Sequence, residues 1–274
     1  MRAASLLVAL AACSRPDTLV VCHNGNCKEP VDPENDDSIE AFRESLTLEQ
    51  DGRPLFDGIE IDTFWRGSDD TCIYAHDLAN AEQLPAIEPA NELAAFFARS
   101  GPIGFGDQPF LVSMEMKSFI SEDTTAVHSP EQRALHAACE WQLYKVIADA
   151  AVANNRDVKI VFQAFAGNLL EAMIAATPAD TPVPFAYAGI QGVPAPLDDQ
   201  TRPLADYRNV PIELVELHAQ WITDAQYEAI ESANQDVAFF MFSLTNESFA
   251  AIEQFEPVYV TTSEATLFRR WLER

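Results

Sequence analysis

The stretch Gly58-Ile59-Glu60-Ile61-Asp62-Thr63-Phe64 decides the fold. Its side chains alternate with period two, as in a strand, where residues two apart point to the same face. Glu60 and Asp62 therefore share one face, and Ile59 and Ile61 take the other. A second segment, Phe110–Lys117, repeats the pattern: Glu115 and Lys117 share a face, opposite Met114 and Met116. The isoleucine and methionine faces suit packing against helices. The charged faces need another explanation.

Working outward, further apolar or β-branched runs read as strands at Thr18–His23, Val158–Phe165, Pro184–Ile190, Ile212–His218, Val237–Leu244 and Val258–Thr262, which makes eight in all. Between them lie helical patterns at about Ser38–Leu48, Pro89–Arg99, Pro130–Asn154, Asn168–Ala176, Thr223–Ala233, Glu247–Phe255 and Glu264–Glu273. Ser38 and Thr223 stand where helix N-caps belong. Eight strands alternating with helices over this length predict an α/β fold, a single-domain (β/α)₈ TIM barrel. No linker, repeat or low-complexity tract marks a second domain.

Composition narrows the function. The 274 residues carry 17 Lys plus Arg against 43 Asp plus Glu, a formal charge of −26. Only four of the basic residues are lysines, so no polybasic stripe exists, and a nucleic-acid partner is excluded. Disorder is excluded too, because 48% of the residues are hydrophobic, enough for a large core. Asp32, Asp36 and Asp37 read as solvated loop charges within a general acidic coat.

The N-terminus reads as an export signal. Met1-Arg2 is followed by the short apolar run Ala3–Leu10, too short for a membrane span and the right length for a signal peptide. The run ends in Leu10-Ala11-Ala12-Cys13, which resembles a bacterial lipobox. The resemblance implies a lipoprotein signal peptide over 1–12, a lipid anchor on Cys13, a short tether over 13–17 and a barrel over 18–274. The protein would then be a periplasmic or cell-surface lipoprotein whose only membrane contact is the anchor. Export favours disulfides, and Cys22, Cys27 and Cys72 all flank histidine-containing segments, so a loop-pinning bridge among them is expected; connectivity is open. With no CxxC motif, a structural zinc site is a poor reading.

In a barrel of this kind, catalytic groups sit at the C-terminal ends of strands and in the loops that follow. Polar segments fall at those places: His23-Asn24-Gly25, Glu60-Ile61-Asp62, His76-Asp77 and Glu115-Met116-Lys117. If their polar faces meet at one mouth, three carboxylates converge with a lysine and two histidines. Carboxylates held together need a cation or a proton, and hard oxygen ligands suit Ca²⁺ or Mg²⁺ better than zinc.

These residues carry a family resemblance. His23-Asn24-Gly25, Pro33-Glu34-Asn35, Glu60-Ile61-Asp62, His76-Asp77 and Glu115-Met116-Lys117 resemble, in order and spacing, the His-Arg-Gly, Pro-Glu-Asn-Thr, Glu-x-Asp, His-Asp and Glu-x-Lys motifs of the glycerophosphodiester phosphodiesterases. The likeness is strong over residues 19–118. Beyond that it rests on Phe162-Gln163-Ala164-Phe165 and Tyr259–Ser263. It implies a metal-dependent phosphodiester hydrolase releasing glycerol 3-phosphate and an alcohol. Glu60, Asp62 and Glu115 would hold one divalent cation, His23 and His76 would act as general base and acid, and Asn24 and Lys117 would bind the phosphate of a small-molecule phosphodiester. Four departures stand out. Asn24 replaces the family arginine, Asp36 stands where the family has Thr (a change in helix capping), Phe240 or Phe242 replaces a seventh-strand tryptophan, and Thr262-Ser263 stands where the family has Thr-Asp near the last strand. Two other functions compete: a phospholipase D of the sphingomyelinase D type on (lyso)phospholipids, and a catalytically silent binding protein. His128, His136 and His218 read as structural.

Overall fold

The computed structural model describes residues 18–76, 82–117, 128–191, 207, 210–241 and 243–274. The signal and anchor assigned to residues 1–17, and Asp77 and Phe242, lie outside the described residues.

All eight expected barrel strands are present: β1 Leu19–Cys22, β2 Gly58–Arg66, β3 Phe110–Met116, β4 Val158–Ala164, β5 Phe185–Gln191, β6 Leu214–His218, β7 Asp236–Met241 and β8 Tyr259–Thr262. They run parallel in chain order, and β1 closes the barrel by pairing with both β2 and β8. Seven helices are described: α1 Ile39–Ser45, α2 Ile87–Phe97, α3 Pro130–Ala153, α4 Gly167–Ala175, α5 Asp224–Ser232, α6 Asn246–Phe255 and α7 Ala265–Leu272. None of them is long and apolar enough to cross a membrane.

Strand parity separates two cores. Val21, Leu111, Val161, Ala186, Ala188, Leu214, Ala238 and Tyr259 fill the barrel interior. Ile59, Ile61, Met114 and Met116 belong instead to the layer between sheet and helices, with Leu93, Phe97, Trp141 and Phe268. Removing that apolar surface from water, at roughly 25 cal/mol per Å², is the main force holding helices to the barrel. Glu60 and Asp62 of β2 and Glu115 of β3 are thus left on the interior face.

Helix starts follow the local chemistry. Ser38 Oγ accepts the Ala41 N–H, and Thr223 and Ser129 form reciprocal capping boxes with Gln226 and Gln132. Strand β2 runs to Arg66, two residues past the expected end, because Thr71–Tyr74 folds back as an antiparallel partner of Thr63–Arg66. This appended strand carries His76 back toward the mouth. The Cys72–Cys139 disulfide ties it to α3, and Cys22–Cys27 closes a loop around His23–Asn26. A loop-pinning bridge therefore forms as expected between Cys22 and Cys27, while Cys72 pairs with Cys139.

The N-terminal end of the barrel is held by Asp57 and Arg269, both buried. Arg269 donates to Asp57 Oδ2 (2.6 Å) and to the Leu55 carbonyl (3.2 Å), and its guanidinium lies 4.0 Å from the Phe105 ring centre. Asp57 also accepts the Val20 and Gly106 N–H groups. The partners of this buried pair offset the desolvation penalty that its charges would otherwise carry.

Candidate active site

The register Asp62↔Glu115↔Gln163 brings the interior faces of β2, β3 and β4 level at the C-terminal mouth. One oxygen from each of Glu60, Asp62 and Glu115 lies within 4.8 Å of the others, all three residues being buried. Lys117, just past the end of β3, reaches back among them. Its Nζ lies 2.8 Å from Asp62 Oδ2 and 2.7 Å from Glu115 Oε1. Glu60 is oriented separately: Oε1 accepts from Gln163 Nε2 (2.9 Å) and Oε2 from the Asn24 main-chain N–H (3.0 Å).

The electrostatics follow from crowding in a dry site. Burial, then mutual repulsion, raises Glu60 well above the ordinary carboxylate range. Burial also raises Asp62 and Glu115, though Lys117 opposes it in both. Burial alone would lower the Lys117 ammonium, yet Asp62, Glu115 and Glu60 outweigh it and hold the lysine charged. Three carboxylates against one ammonium leave excess negative charge in low dielectric, which a divalent cation would neutralise. The donor set is all oxygen and fits Ca²⁺ or Mg²⁺. The residues present therefore fit the expected cation.

His23 begins a short 3₁₀ turn, His23–Gly25, directly after β1. Its Nδ1 is 3.2 Å from Ser263 Oγ, and its Nε2 is 3.9 Å from Glu60 Oε2. Burial, then Lys117 and His76, push it down to about 3, so the imidazole is neutral at pH 7. The turn needs Gly25: at φ +61 a Cβ would fall 2.4 Å from Phe42 Cδ2. His76 is exposed at the mouth, and its charge acts on His23, Glu115 and Asp36.

Asn24 is held by its neighbours on the same loop. It is buried, and its Nδ2 donates to Asp36 Oδ2 (3.3 Å). Asp36 also accepts from Asn26 Nδ2 (2.7 Å). Asp36 thus ties the His23 turn to the loop before α1; its main chain caps the 3₁₀ turn Pro33–Asn35, and Ser38 is the N-cap of α1. The reading of Asp36 and Asp37 as solvated charges is corrected. Asp36 is half-buried and Asp37 is 1% exposed. Sequence spacing gave no sign of this, because an acidic loop reads the same whether it faces water or a site.

Other residues emerge only from the fold. Below the carboxylates, Glu216 is buried and accepts from Thr261 Oγ1 (2.9 Å) and the Tyr259 hydroxyl (3.3 Å), with burial pushing it up to about 8. Behind β2, Thr63 Oγ1 contacts Glu140 Oε1, His136 Nε2 (2.9 Å) and the Glu115 carbonyl (3.2 Å), while His136 Nδ1 lies 3.3 Å from His128 Nε2. Both histidines are buried between α3 and the barrel, consistent with a structural role. Cys72, His136 and Glu140 also lie close together, but the Cys72 sulfur is engaged with Cys139. At the mouth, His218 stands half-buried against Trp221 and Phe240.

No protein-family model and no curated protein matches the chain. Solved structures match it in fold. A glycerophosphodiester phosphodiesterase from Parabacteroides distasonis is 13% identical with a TM-score of 0.59, covering 94% of this chain and 98% of that one. One from Agrobacterium tumefaciens is 14% identical with a TM-score of 0.55, covering 94% and 100%. A phosphodiesterase from Oleispira antarctica, solved with the product sn-glycerol-3-phosphate, is 12% identical with a TM-score of 0.57, covering 93% and 97%. At such identities the likeness establishes the shared barrel over nearly the whole chain.

Proposed function

We propose that this protein is a divalent-cation-dependent phosphodiester hydrolase that cleaves glycerophosphodiesters to glycerol 3-phosphate and an alcohol. The observation that carries the reading is the convergence of Glu60, Asp62, Glu115 and Lys117 on one buried point at the barrel mouth, with His23 beside it. The bound product of the Oleispira relative supports the substrate class.

Glu60, Asp62 and Glu115 would hold Ca²⁺ or Mg²⁺. Such an ion, when bound, neutralises phosphate oxygens and stabilises charge in an in-line displacement. The chain's own groups do the rest. Neutral His23, oriented by Ser263, would accept a proton at Nε2 from the water that attacks phosphorus. His76, at the exposed side of the mouth, protonates the leaving alcohol; well-placed acid–base pairs of this kind contribute about 10²–10⁴-fold. The Lys117 ammonium, held charged among Asp62 and Glu115, would meet a phosphate oxygen. With a divalent cation the three carboxylates and Lys117 would sum to zero charge, so the site would no longer repel an anionic substrate as the acidic exterior does. Export as a lipoprotein anchored through Cys13 belongs to the same proposal, supported by two disulfides, which persist in oxidising compartments.

The test is release of glycerol 3-phosphate from glycerophosphocholine and glycerophosphoethanolamine, with and without chelator, by wild type and by His23→Ala and His76→Ala. Turnover that needs both histidines supports the reading. Inactivity across the panel sinks the substrate claim, and cyclic phosphate from lysophospholipids would move the assignment to a phospholipase D of the sphingomyelinase D type.

A further inference from the structure

One layer of the barrel interior departs from the usual filling. In (β/α)₈ barrels the interior is stacked in layers of side chains drawn from alternate strands, and bulky branched apolar residues dominate them. Here the even strands β2, β4, β6 and β8 contribute Glu60, Gln163, Glu216 and Tyr259. Val161, Leu214 and Tyr259 belong to the interior core, so Gln163 and Glu216, each two residues on from an apolar member, share its face. All four layer residues are buried, and so is Thr261, two residues beyond Tyr259. Buried polar groups carry a desolvation cost unless each finds a partner.

The contacts run in a line. Gln163 Nε2 donates to Glu60 Oε1 (2.9 Å). The Tyr259 hydroxyl lies 3.4 Å from Gln163 Oε1 and 3.3 Å from Glu216 Oε2. Thr261 Oγ1 donates to Glu216 Oε1 (2.9 Å). Counting protons gives the line a direction. Gln163 presents its amide N–H to the Glu60 carboxylate, so its carbonyl faces Tyr259 and needs a donor. Tyr259 has a single hydroxyl proton for two oxygens. With Glu216 ionised, that proton turns to Glu216 and the Gln163 carbonyl goes without. With Glu216 protonated, Glu216 donates to the Tyr259 oxygen and the Tyr259 proton reaches Gln163, so every group in the line is satisfied. Burial, which pushes Glu216 up to about 8, favours the second arrangement at pH 7.

We propose that Glu216, Tyr259 and Gln163 are positioning residues for the cation centre, a one-way hydrogen-bond chain that ends on Glu60 and holds its carboxylate in place as a ligand. This rests on the proposed function, which uses Glu60 but none of the three residues behind it. Without the chain, the Gln163 amide can turn its carbonyl toward Glu60, an oxygen facing an oxygen, and Glu60 keeps only the Asn24 N–H at its other oxygen. Groups that orient metal ligands in this manner change affinity about 10–100-fold without touching the ion. Glu216 serves in this chain as a neutral donor, which sets it apart from Glu60, Asp62 and Glu115.

The test is calorimetric titration of the chelator-stripped full chain with CaCl₂, on wild type, Tyr259→Phe, Glu216→Gln, Glu216→Leu and Glu60→Gln, each checked for its folded state by circular dichroism. Tyr259→Phe, which removes one hydroxyl, should lose about 10–100-fold in Ca²⁺ affinity, and Glu216→Leu a similar amount. Glu216→Gln keeps a carbonyl toward Thr261 and an N–H toward Tyr259, so it should bind Ca²⁺ as wild type does. If Glu216→Leu folds poorly, the contrast between Tyr259→Phe and Glu216→Gln decides alone. Wild-type affinity in Tyr259→Phe, or a loss in Glu216→Gln equal to that in Tyr259→Phe, with Glu60→Gln impaired, would overturn the chain and leave the cation reading standing. No Ca²⁺ binding by wild type would overturn both.

Discussion

Replacing Glu140 by glutamine should make the protein progressively more stable than wild type as pH rises. Glu140 is fully buried, and burial pushes its carboxyl from 4.5 up to about 8, against the hydrogen bond to Thr63 and with a smaller push from Asp62. The proton count at Thr63 agrees. Its single hydroxyl proton cannot serve both Glu140 Oε1 and the Glu115 carbonyl. A protonated Glu140 donates to Thr63, leaving Thr63 to donate to Glu115. The folded state then binds a proton that the unfolded chain releases above about 4.5, so the Glu140 contribution to stability is fully present below that pH and is lost as pH rises toward 8. The slope in that window approaches 1.4 kcal/mol per pH unit, which gives about 3 kcal/mol between pH 5 and 7.5 once partial titration at both ends is included. Glutamine keeps a donor toward Thr63 and cannot ionise. Urea unfolding of both proteins at pH 5, 6, 7 and 7.5, disulfides intact, measures the difference. Wild type and Glu140→Gln should diverge by about 3 kcal/mol across this range; parallel pH profiles would refute the buried-acid argument.

Other outcomes follow from the same geometry. Lys117→Met leaves Asp62 and Glu115 facing each other unpaired, and should cost the cation-free protein about 3–5 kcal/mol in urea, much of it recovered on adding Ca²⁺. Arg269→Met at the opposite end strands Asp57 and should cost a similar amount, about 3–5 kcal/mol, with kcat unchanged in the surviving folded fraction. His23→Ala should lower kcat by about 10²–10⁴-fold, measured on glycerophosphocholine with the folded state checked by circular dichroism.

Much of the barrel was legible because period-two alternation and N-cap chemistry are local signals. Gly58–Phe64 and Phe110–Lys117 could be oriented as well as located, since parity alone separates Glu60, Asp62, Glu115 and Lys117 from Ile59, Ile61, Met114 and Met116. What was illegible depends on distant partners. The strand Thr71–Tyr74 is four residues long and exists through its pairing with β2 and its tether to α3. Asp57 and Arg269 meet across 212 residues. Asp37 sits among acidic neighbours that resemble a solvated loop, yet it is buried. Glu140 lay inside a helix whose pattern gave no hint that Thr63 waits opposite.

The most direct test of the central claim is glycerol 3-phosphate release from glycerophosphocholine by the chelator-stripped chain, measured before and after restoring Ca²⁺, alongside Glu60→Gln. The account predicts turnover that vanishes on stripping, returns with the cation, and fails to return at the same Ca²⁺ concentration in Glu60→Gln. Turnover that survives complete removal of divalent cations, or that Glu60→Gln leaves intact, would contradict it.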